Sequence, residues 1–383
     1  MSTFPIAALF AFRMLGLSML IPIFTLYASD LAGATPRLLG VALGAYGLTQ
    51  GLLQIPFGIL SDRYGRKPLI TLGLILFALG SLLGAVTHTI SGMILARILQ
   101  GSGAIGSVLI ALLADITSTH DRTKAMAIIG ISIALSFSVA FIVGPIIAKH
   151  TGLTGIFYVT AALALLGLVM LYTLIPTPTS ETHSTINMQQ LKQVFCNRNL
   201  LKLDASIFFQ HLILIATFFA LPMILQHHLQ QGHLSQTWQF YVPILILSFL
   251  AMAPLLLLAE KLGRVRALFL GSIVTIMCIQ FGLAWQLDSY TELYGLVFVF
   301  FVAFNCLEAN LPSLISKHTP SNIRGGAMGV YSSSQFLGIF VGGTLSGLVY
   351  STAGAKGIFI MNGCVALVWF TLVYNLRLPR TPE

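Results

Sequence analysis

Runs of mostly apolar residues, each close to the length a helix needs to cross a bilayer, follow one another along almost the whole chain. A hydrocarbon core about 30 Å thick takes roughly 20 helical residues, and it admits only structures that satisfy their backbone hydrogen bonds internally. The chain is therefore expected to be an all-α membrane protein. Twelve transmembrane helices are predicted, at residues 5–28, 38–60, 68–88, 92–115, 123–148, 153–175, 203–227, 237–259, 267–287, 292–316, 323–350 and 354–376. With 56% hydrophobic and 8% charged residues, almost nothing remains for a soluble domain. Arg13 interrupts the first run where a cleaved signal would have its uncharged core, so this run is expected to stay as the first span.

Only one connection is long, the polar stretch from Pro176 to Leu201 with Pro176 and Pro178. It predicts a six-helix bundle at 1–178, a cytoplasmic linker at 179–201 and a second six-helix bundle at 202–383. Lys and Arg accumulate on the cytoplasmic side of membranes. Placing both termini in the cytoplasm puts fifteen of the 20 basic residues inside, leaves Arg37, Lys149 and Lys356 outside, and keeps Arg13 and Arg97 within spans. The halves also echo each other at an offset of 198 residues: Pro56 with Pro254, Asp62 with Glu260, Gly65 with Gly263, Arg66 with Arg264 and Gly144 with Gly342. A parallel repeat of this kind predicts two pseudo-symmetric bundles, with a substrate site near mid-membrane at the repeat interface.

Several chemistries are excluded or discounted. The net charge of +9 lies in short loops between apolar runs and forms no long basic face, so nucleic acid is not expected as a partner. Cys196, Cys278, Cys306 and Cys364 are far apart, mostly within apolar runs, and read as small fillers with neither a disulfide framework nor a metal site. The run Gly101-Ser102-Gly103-Ala104-Ile105-Gly106 fits a dinucleotide pattern by letter, but it lies in a membrane helix and not after a strand. No phosphate-binding loop is present to make ATP the direct energy source, and no paired nucleophile and base points to an enzyme. His227, His228 and His233 are expected in an outer loop, either solvated or, less simply, around a metal. Gly40, Gly44, Gly47 and Gly51 share a helix face and read as packing positions.

The stretch Gly58-Ile59-Leu60-Ser61-Asp62-Arg63-Tyr64-Gly65-Arg66-Lys67 resembles the major facilitator loop signature, Gly-x-x-x-Asp-Arg-x-Gly-Arg-Lys. Arg97-Ile98-Leu99-Gln100-Gly101 is similar to the second signature, and Gly144-Pro145 to the core of the antiporter signature. Helix 1, with Arg13, Gly16 and Pro22, looks like the twelve-helix drug:proton antiporter branch. Helices 10 and 11, from Glu308 to Ser316 and through Tyr331 and Gln335, look closest to bacterial exporters of the YajR type. Two departures stand out: Ala148 and Lys149 replace the glycine pair that usually follows Gly-Pro, and no counterpart of the soluble C-terminal domain of the YajR type is expected after helix 12. The resemblance implies that helices 1, 4, 7 and 10 line a central cavity. It also implies a conformational latch of Gly58, Asp62, Gly65, Arg66 and Asp115, in which Arg66 pairs with Asp115 and Asp62 caps a helix beginning near Ser321, holding the outward-open state.

Ionisable residues inside a bilayer cost roughly 2.5–3.5 kcal/mol each and are functional candidates by default. Arg13, His211 and Glu308 come out at nearly one depth when residues are counted from their helix ends, and Arg13 plus the repeat offset is His211. Glu308 is the first candidate for proton coupling, switched by movement of Arg13 or water, and His211 the second. The plainer alternative keeps Glu308 and Arg13 as a permanent ion pair with His211 as an interhelical donor. Arg97 counts to a different depth; the resemblance gives it a part in proton movement or in tying helix 4 to helix 1. Arg13, His211, Asn305, Glu308, Tyr331 and Gln335 form the expected substrate site, although Asn305 could simply bond a neighbouring helix.

The function expected is secondary active transport in the bacterial inner membrane, by a monomer that binds a small-molecule substrate, protons and lipids and needs no cofactor beyond the proton gradient. Proton-coupled efflux of an amphipathic, drug-like compound is the leading reading. Export of an anionic metabolite or siderophore is its rival, and a membrane-embedded ligand sensor is the alternative of another class.

Overall fold

The computed structural model describes residues 3–117, 122–176, 194–286, 288–320 and 323–376. Most of the expected linker and the helix start expected near Ser321 lie outside the described residues. The chain forms two compact units, Met1–Thr185 and Ile186–Glu383.

The first unit holds α1 (Thr3–Ser18), α2 (Phe24–Ala28), α3 (Pro36–Tyr64), α4 (Arg66–Val86), α5 (Ile90–Ser102), α6 (Gly106–Ile116) and α7 (Arg122–Thr173). The second holds α8 (Arg198–Gln230), α9 (Trp238–Lys261), α10 (Val265–Leu283), α11 (Tyr290–His318) and α12 (Arg324–Val373). Among the described residues, nine helices are long and apolar enough to cross a membrane, and α1 is a shorter apolar helix. Two of the nine are double. At about 1.5 Å per residue the 52-residue α7 and 50-residue α12 would far exceed a bilayer if straight. They bend at Gly152 (φ 64°) and Gly354 (φ 62°), a left-handed conformation that side-chain-bearing residues rarely adopt. With α1–α2 and α5–α6 each making one broken span, the all-α, twelve-span architecture results.

The broken spans depart from the continuous helices expected. The first is interrupted between Ser18 and Phe24, around Pro22, whose nitrogen has no hydrogen to give. The fourth is interrupted at Gly103–Ile105, where a Cβ on Gly103 would stand 2.3 Å from the Gly73 carbonyl and one on Gly101 2.3 Å from that of Tyr46. Close backbone packing is thus the use of this glycine-rich run. Helix starts are capped conventionally: Thr35 accepts from Leu38 N at 3.3 Å with Pro36 following it, and Asn197 Oδ1 accepts from Asn199 N at 3.0 Å. Large apolar side chains such as Leu52, Leu250 and Leu257 stand exposed on the helices, as a lipid-facing surface requires.

The repeat is visible in packing. A Cβ on Gly144 would lie 2.6 Å from Met19 O, and one on Gly342 2.5 Å from Leu212 O, so equivalent glycines seat each unit's long bent helix on its first helix. These contacts relate the two first helices by 193 residues, not 198. By packing, Arg13 is matched by Ser206 and not by His211, which corrects the equivalence expected. The interruption after Ser18 explains the slip, since α8 is continuous through the corresponding stretch.

Candidate transport site

In the first unit, Tyr46, Gln50 and Gln54 stand at i, i+4 spacing on one face of α3 and form a buried polar ladder. Tyr46 donates to Gln50 Oε1 at 3.2 Å, and Gln50 donates to Gln54 Oε1 at 2.8 Å. Arg13, 3% exposed, reaches in from α1 and donates from Nη2 to Tyr46 Oη at 2.9 Å. Arg97, from α5, lies with its guanidinium 5.0 Å from the centroid of the same ring and donates to Gln100 Oε1 at 2.9 Å. Counting along helices set these two arginines apart. Their long side chains meet at Tyr46, a residue that sequence reasoning passed over because a tyrosine within a span carries no charge to flag it. Neither guanidinium has an ion pair with a described residue of its unit, and both Nε atoms are buried without a hydrogen bond.

The loop network is also assembled within this unit. Arg66 pairs with Asp62, donates to Asp115 Oδ2 at 2.9 Å from Nε, and donates to Ser61 Oγ at 2.6 Å. Gly58 faces Ser107, and Gly65 ends α3 at φ 92°. The repeat does not carry this chemistry across: Glu260 and Arg264 are exposed and form no ion pair with a described residue. Gly144 and Pro145 lie inside α7, which continues through the proline.

In the second unit, Glu308 of α11 is half-buried and its Oε2 accepts from Gln210 Nε2 of α8 at 2.9 Å; the same amide donates to Phe304 O at 3.2 Å. His211 is 6% exposed, with Nδ1 3.3 Å from Ile207 O and Nε2 2.8 Å from Gln335 Nε2 of α12. A carbonyl only accepts, which assigns the proton to Nδ1 and leaves Nε2 to accept from the amide. Both ring nitrogens are therefore used by a neutral imidazole. Asn305 donates to Ser248 Oγ at 3.0 Å and so bonds the neighbouring α9. The Tyr331 hydroxyl is buried with no hydrogen-bond partner among the described residues. Sequence reasoning missed Gln210, next to His211, and Asp204, which lies near the start of the span expected at 203–227 and is buried.

His227 and His228 belong to α8, not to a loop, and His228 is fully buried. Its Nδ1 stands 3.3 Å from His233 Nδ1, and His233 stacks on Tyr290 at 5.7 Å. Only His228 departs from the solvated setting expected, being buried against His233 and Tyr290, while His227 and His233 are exposed. No group of three or more His, Cys, Asp or Glu that could hold a metal occurs among the described residues. Of the cysteines, Cys306 is buried and Cys196, Cys278 and Cys364 are exposed and unpaired.

Two helical units that share a packing scheme, each with a long helix bent at a glycine and with ionisable groups at depth within its spans, have the build of a membrane transporter with an internal repeat. The chain belongs to the Major Facilitator Superfamily, whose profile matches residues 6–257 and, in an overlapping second match, 203–383. It is 40% identical over 384 residues to the inner membrane transport protein YajR of Escherichia coli K12, covering 99% of this chain and 84% of YajR. Over 172 residues, 44% of each chain, it is 31% identical to the quinolone resistance protein NorA of Staphylococcus aureus. A crystal structure of the nucleoside transporter NupG superposes with a TM-score of 0.77 at 15% identity, covering 98% of this chain and all of that one, a likeness of fold. Members of the superfamily are driven by ion gradients and need no cofactor.

Proposed function

We propose that the protein is a proton-coupled exporter of the inner membrane, acting as a monomer by alternating access, with both termini in the cytoplasm. The observation that supports coupling is the setting of Glu308. A carboxyl inside a membrane span, held by one neutral amide and by no cation among the described residues of its own unit, can take up and release a proton without breaking an ion pair. Residues 1–178 and 202–383 are the two moving bundles in this reading, 179–201 the linker, and Asp62, Arg66 and Asp115 the latch, with Gly58 and Gly65 shaping its backbone. One proton moving down one pH unit and 100 mV supplies about 1.4 plus 2.3 kcal/mol, enough for roughly a 500-fold gradient of a neutral solute.

A small amphipathic, drug-like substrate is favoured by the likeness to NorA, whose name records quinolone resistance. A second reading, export of an anionic metabolite or siderophore, is favoured by one observation: Arg13 and Arg97 are buried around one tyrosine and form no ion pair with a described carboxylate of their unit. His211, Tyr331 and Gln335 complete the proposed substrate contacts, and Asn305 is assigned to the bond with Ser248.

The test is proton movement in sealed liposomes under an imposed pH gradient, with a panel of cationic, neutral and polycarboxylate solutes, beside Glu308→Gln. Solute-dependent proton flux abolished by Glu308→Gln is the expected result, and the active solutes give the charge class. Solute flux unaccompanied by protons and unchanged in the variant refutes coupling. Binding without any flux refutes transport and leaves a ligand sensor.

A further inference from the structure

The span made of α5 and α6 is broken where its halves meet, and the second half starts without a cap. α6 begins at Gly106, and no side chain accepts from its first turn. The first backbone bond across that start is Leu109 N to Ile105 O at 2.9 Å, which leaves the N–H groups of Gly106, Ser107 and Val108 without a backbone acceptor. Orphan donors at a buried helix end need a partner. Ile105, Gly106 and Val108 are all buried, and Gly106 stands about 15 Å from the end of the span at Ile116. The repeat does not demand the break: α11 runs unbroken from Tyr290 to His318, with Phe304 at the place equivalent to Gly106.

Two donors from other helices converge on the same place. A Cβ on Gly106 would lie 3.1 Å from Gln54 Nε2 and 3.3 Å from Arg13 Nη1, and the Cα–Cβ bond of a helical residue leans toward the helix N-terminus. Arg13 and Gln54 are each 3% exposed. Their hydrogen bonds run in one direction: Arg13 Nη2 donates to Tyr46, Tyr46 to Gln50, and Gln50 to Gln54 Oε1. That order fixes the Gln54 amide, so its nitrogen is the end beside Gly106 and Arg13. Neither this nitrogen nor Arg13 Nη1 donates to a described residue, and Arg13 Nε is buried without a hydrogen bond. Ser107 donates to Gln54 O at 3.0 Å and holds α6 against α3. Every unpaired group at this place is therefore a donor, and the one charge among them is positive.

We infer that the start of α6, with Arg13 and Gln54, is a subsite for one carboxylate of the transported solute. This rests on the reading of the protein as an exporter of anions and gives that reading a place in the first unit. The dipole of α6 and its free N–H groups favour negative charge at this end, as half-helix starts within membrane spans do for anionic substrate groups. A carboxylate only accepts, and its two oxygens can take the guanidinium, the amide and the helix N–H groups together. One guanidinium balances one negative charge, whereas a dianion would carry an uncompensated charge at this depth.

Fluorine NMR of the purified full-length protein in a non-ionic detergent tests this, with fluorobenzoate as the probe and fluorobenzamide as its uncharged counterpart. The result expected is saturable broadening of the fluorobenzoate line alone, abolished in Arg13→Gln. Gln54→Leu removes one donor to a charged group and should weaken fluorobenzoate binding roughly tenfold or more. Gly106→Ala should weaken it similarly by putting a methyl group among the donors. The nearest neighbours of that methyl are the ends of two flexible side chains, so the thermal unfolding of Gly106→Ala should match the parent's, and this variant decides the matter if Arg13→Gln folds poorly. No saturable fluorobenzoate binding, binding unchanged by Gln54→Leu and Gly106→Ala, equal binding of the amide, or chloride binding that no carboxylate displaces overturns the inference. Failure of the anion-export reading looks different: fluorobenzoate then binds and responds to both substitutions, yet no carboxylate solute crosses the liposome membrane.

Discussion

The contact between α8 and α12 makes a prediction in which one substitution should have opposite effects at two sites. At Gly338 an added Cβ would stand 2.2 Å from Phe208 O and 3.0 Å from both the carbonyl carbon and Cα of the same residue, where ordinary contact begins at 3.4 Å. Those atoms are backbone, so no rotamer relieves the clash and α8 must retreat by about an ångström. Overpacking of this kind costs about 1–3 kcal/mol, set against the roughly 0.5–1 kcal/mol that alanine gains over glycine within a helix. Gly338→Ala should therefore destabilise the protein by up to about 2.5 kcal/mol. At Gly271, an exposed position inside α10, an added Cβ meets nothing within 4 Å, and Gly271→Ala should stabilise by about 0.5–1 kcal/mol. Unfolding in mixed micelles with increasing sodium dodecyl sulfate, read by tryptophan fluorescence, measures both. Trp369 is fully buried and stacks on Phe209 at 6.5 Å, beside the strained contact. A Gly338→Ala protein as stable as the parent would refute the steric argument and with it the use of these glycines as the seat of α12.

Three further outcomes follow from other contacts. In a double-mutant cycle of Arg66→Met and Asp115→Asn, the coupling measured by the same unfolding assay should be about 1–3 kcal/mol, and additivity within about 0.3 kcal/mol would show the pair to be idle. Tyr46→Phe removes an acceptor from buried Arg13 and should cost about 1–3 kcal/mol, whereas Tyr46→Leu, which also removes the ring beneath Arg97, should cost more; equal losses would show that the ring contact contributes nothing. Asn305→Ala should lower stability through Ser248 while leaving the solute range in liposomes unchanged, and an altered range would make Asn305 a substrate contact after all.

What was legible in the sequence was what a bilayer dictates. Span length follows from composition and spacing, the pairing of Arg66 with Asp115 from the resemblance of the loop to a known signature, and the geometry agrees with both. Depth arguments worked less well, because they treat each span as an unbroken rod and end each residue at its Cα. Arg97 and Arg13 share Tyr46 through side chains some 6–7 Å long, a reach that counting turns ignores. The interruption after Ser18 displaced the repeat register on the first helix, so the match of Arg13 with His211 did not survive. Gln50, Gln54 and Gln210 escaped notice because a neutral amide in an apolar run carries neither charge nor a motif, although as hydrogen-bonding groups they organise much of both polar clusters.

The bends at Gly152 and Gly354 bear on how the orientation of this protein can be mapped. Each joins two spans through a single residue with nothing within 4 Å of an added Cβ, so a cysteine there would be sterically free yet conformationally misplaced. Topology reporters, whether inserted epitopes, glycan acceptors or protease sites, need a length of exposed chain that these two turns lack. Reporter experiments should use the segment around Gly232 instead, and silence from a tag at either bend would say nothing about the side of the membrane on which it lies.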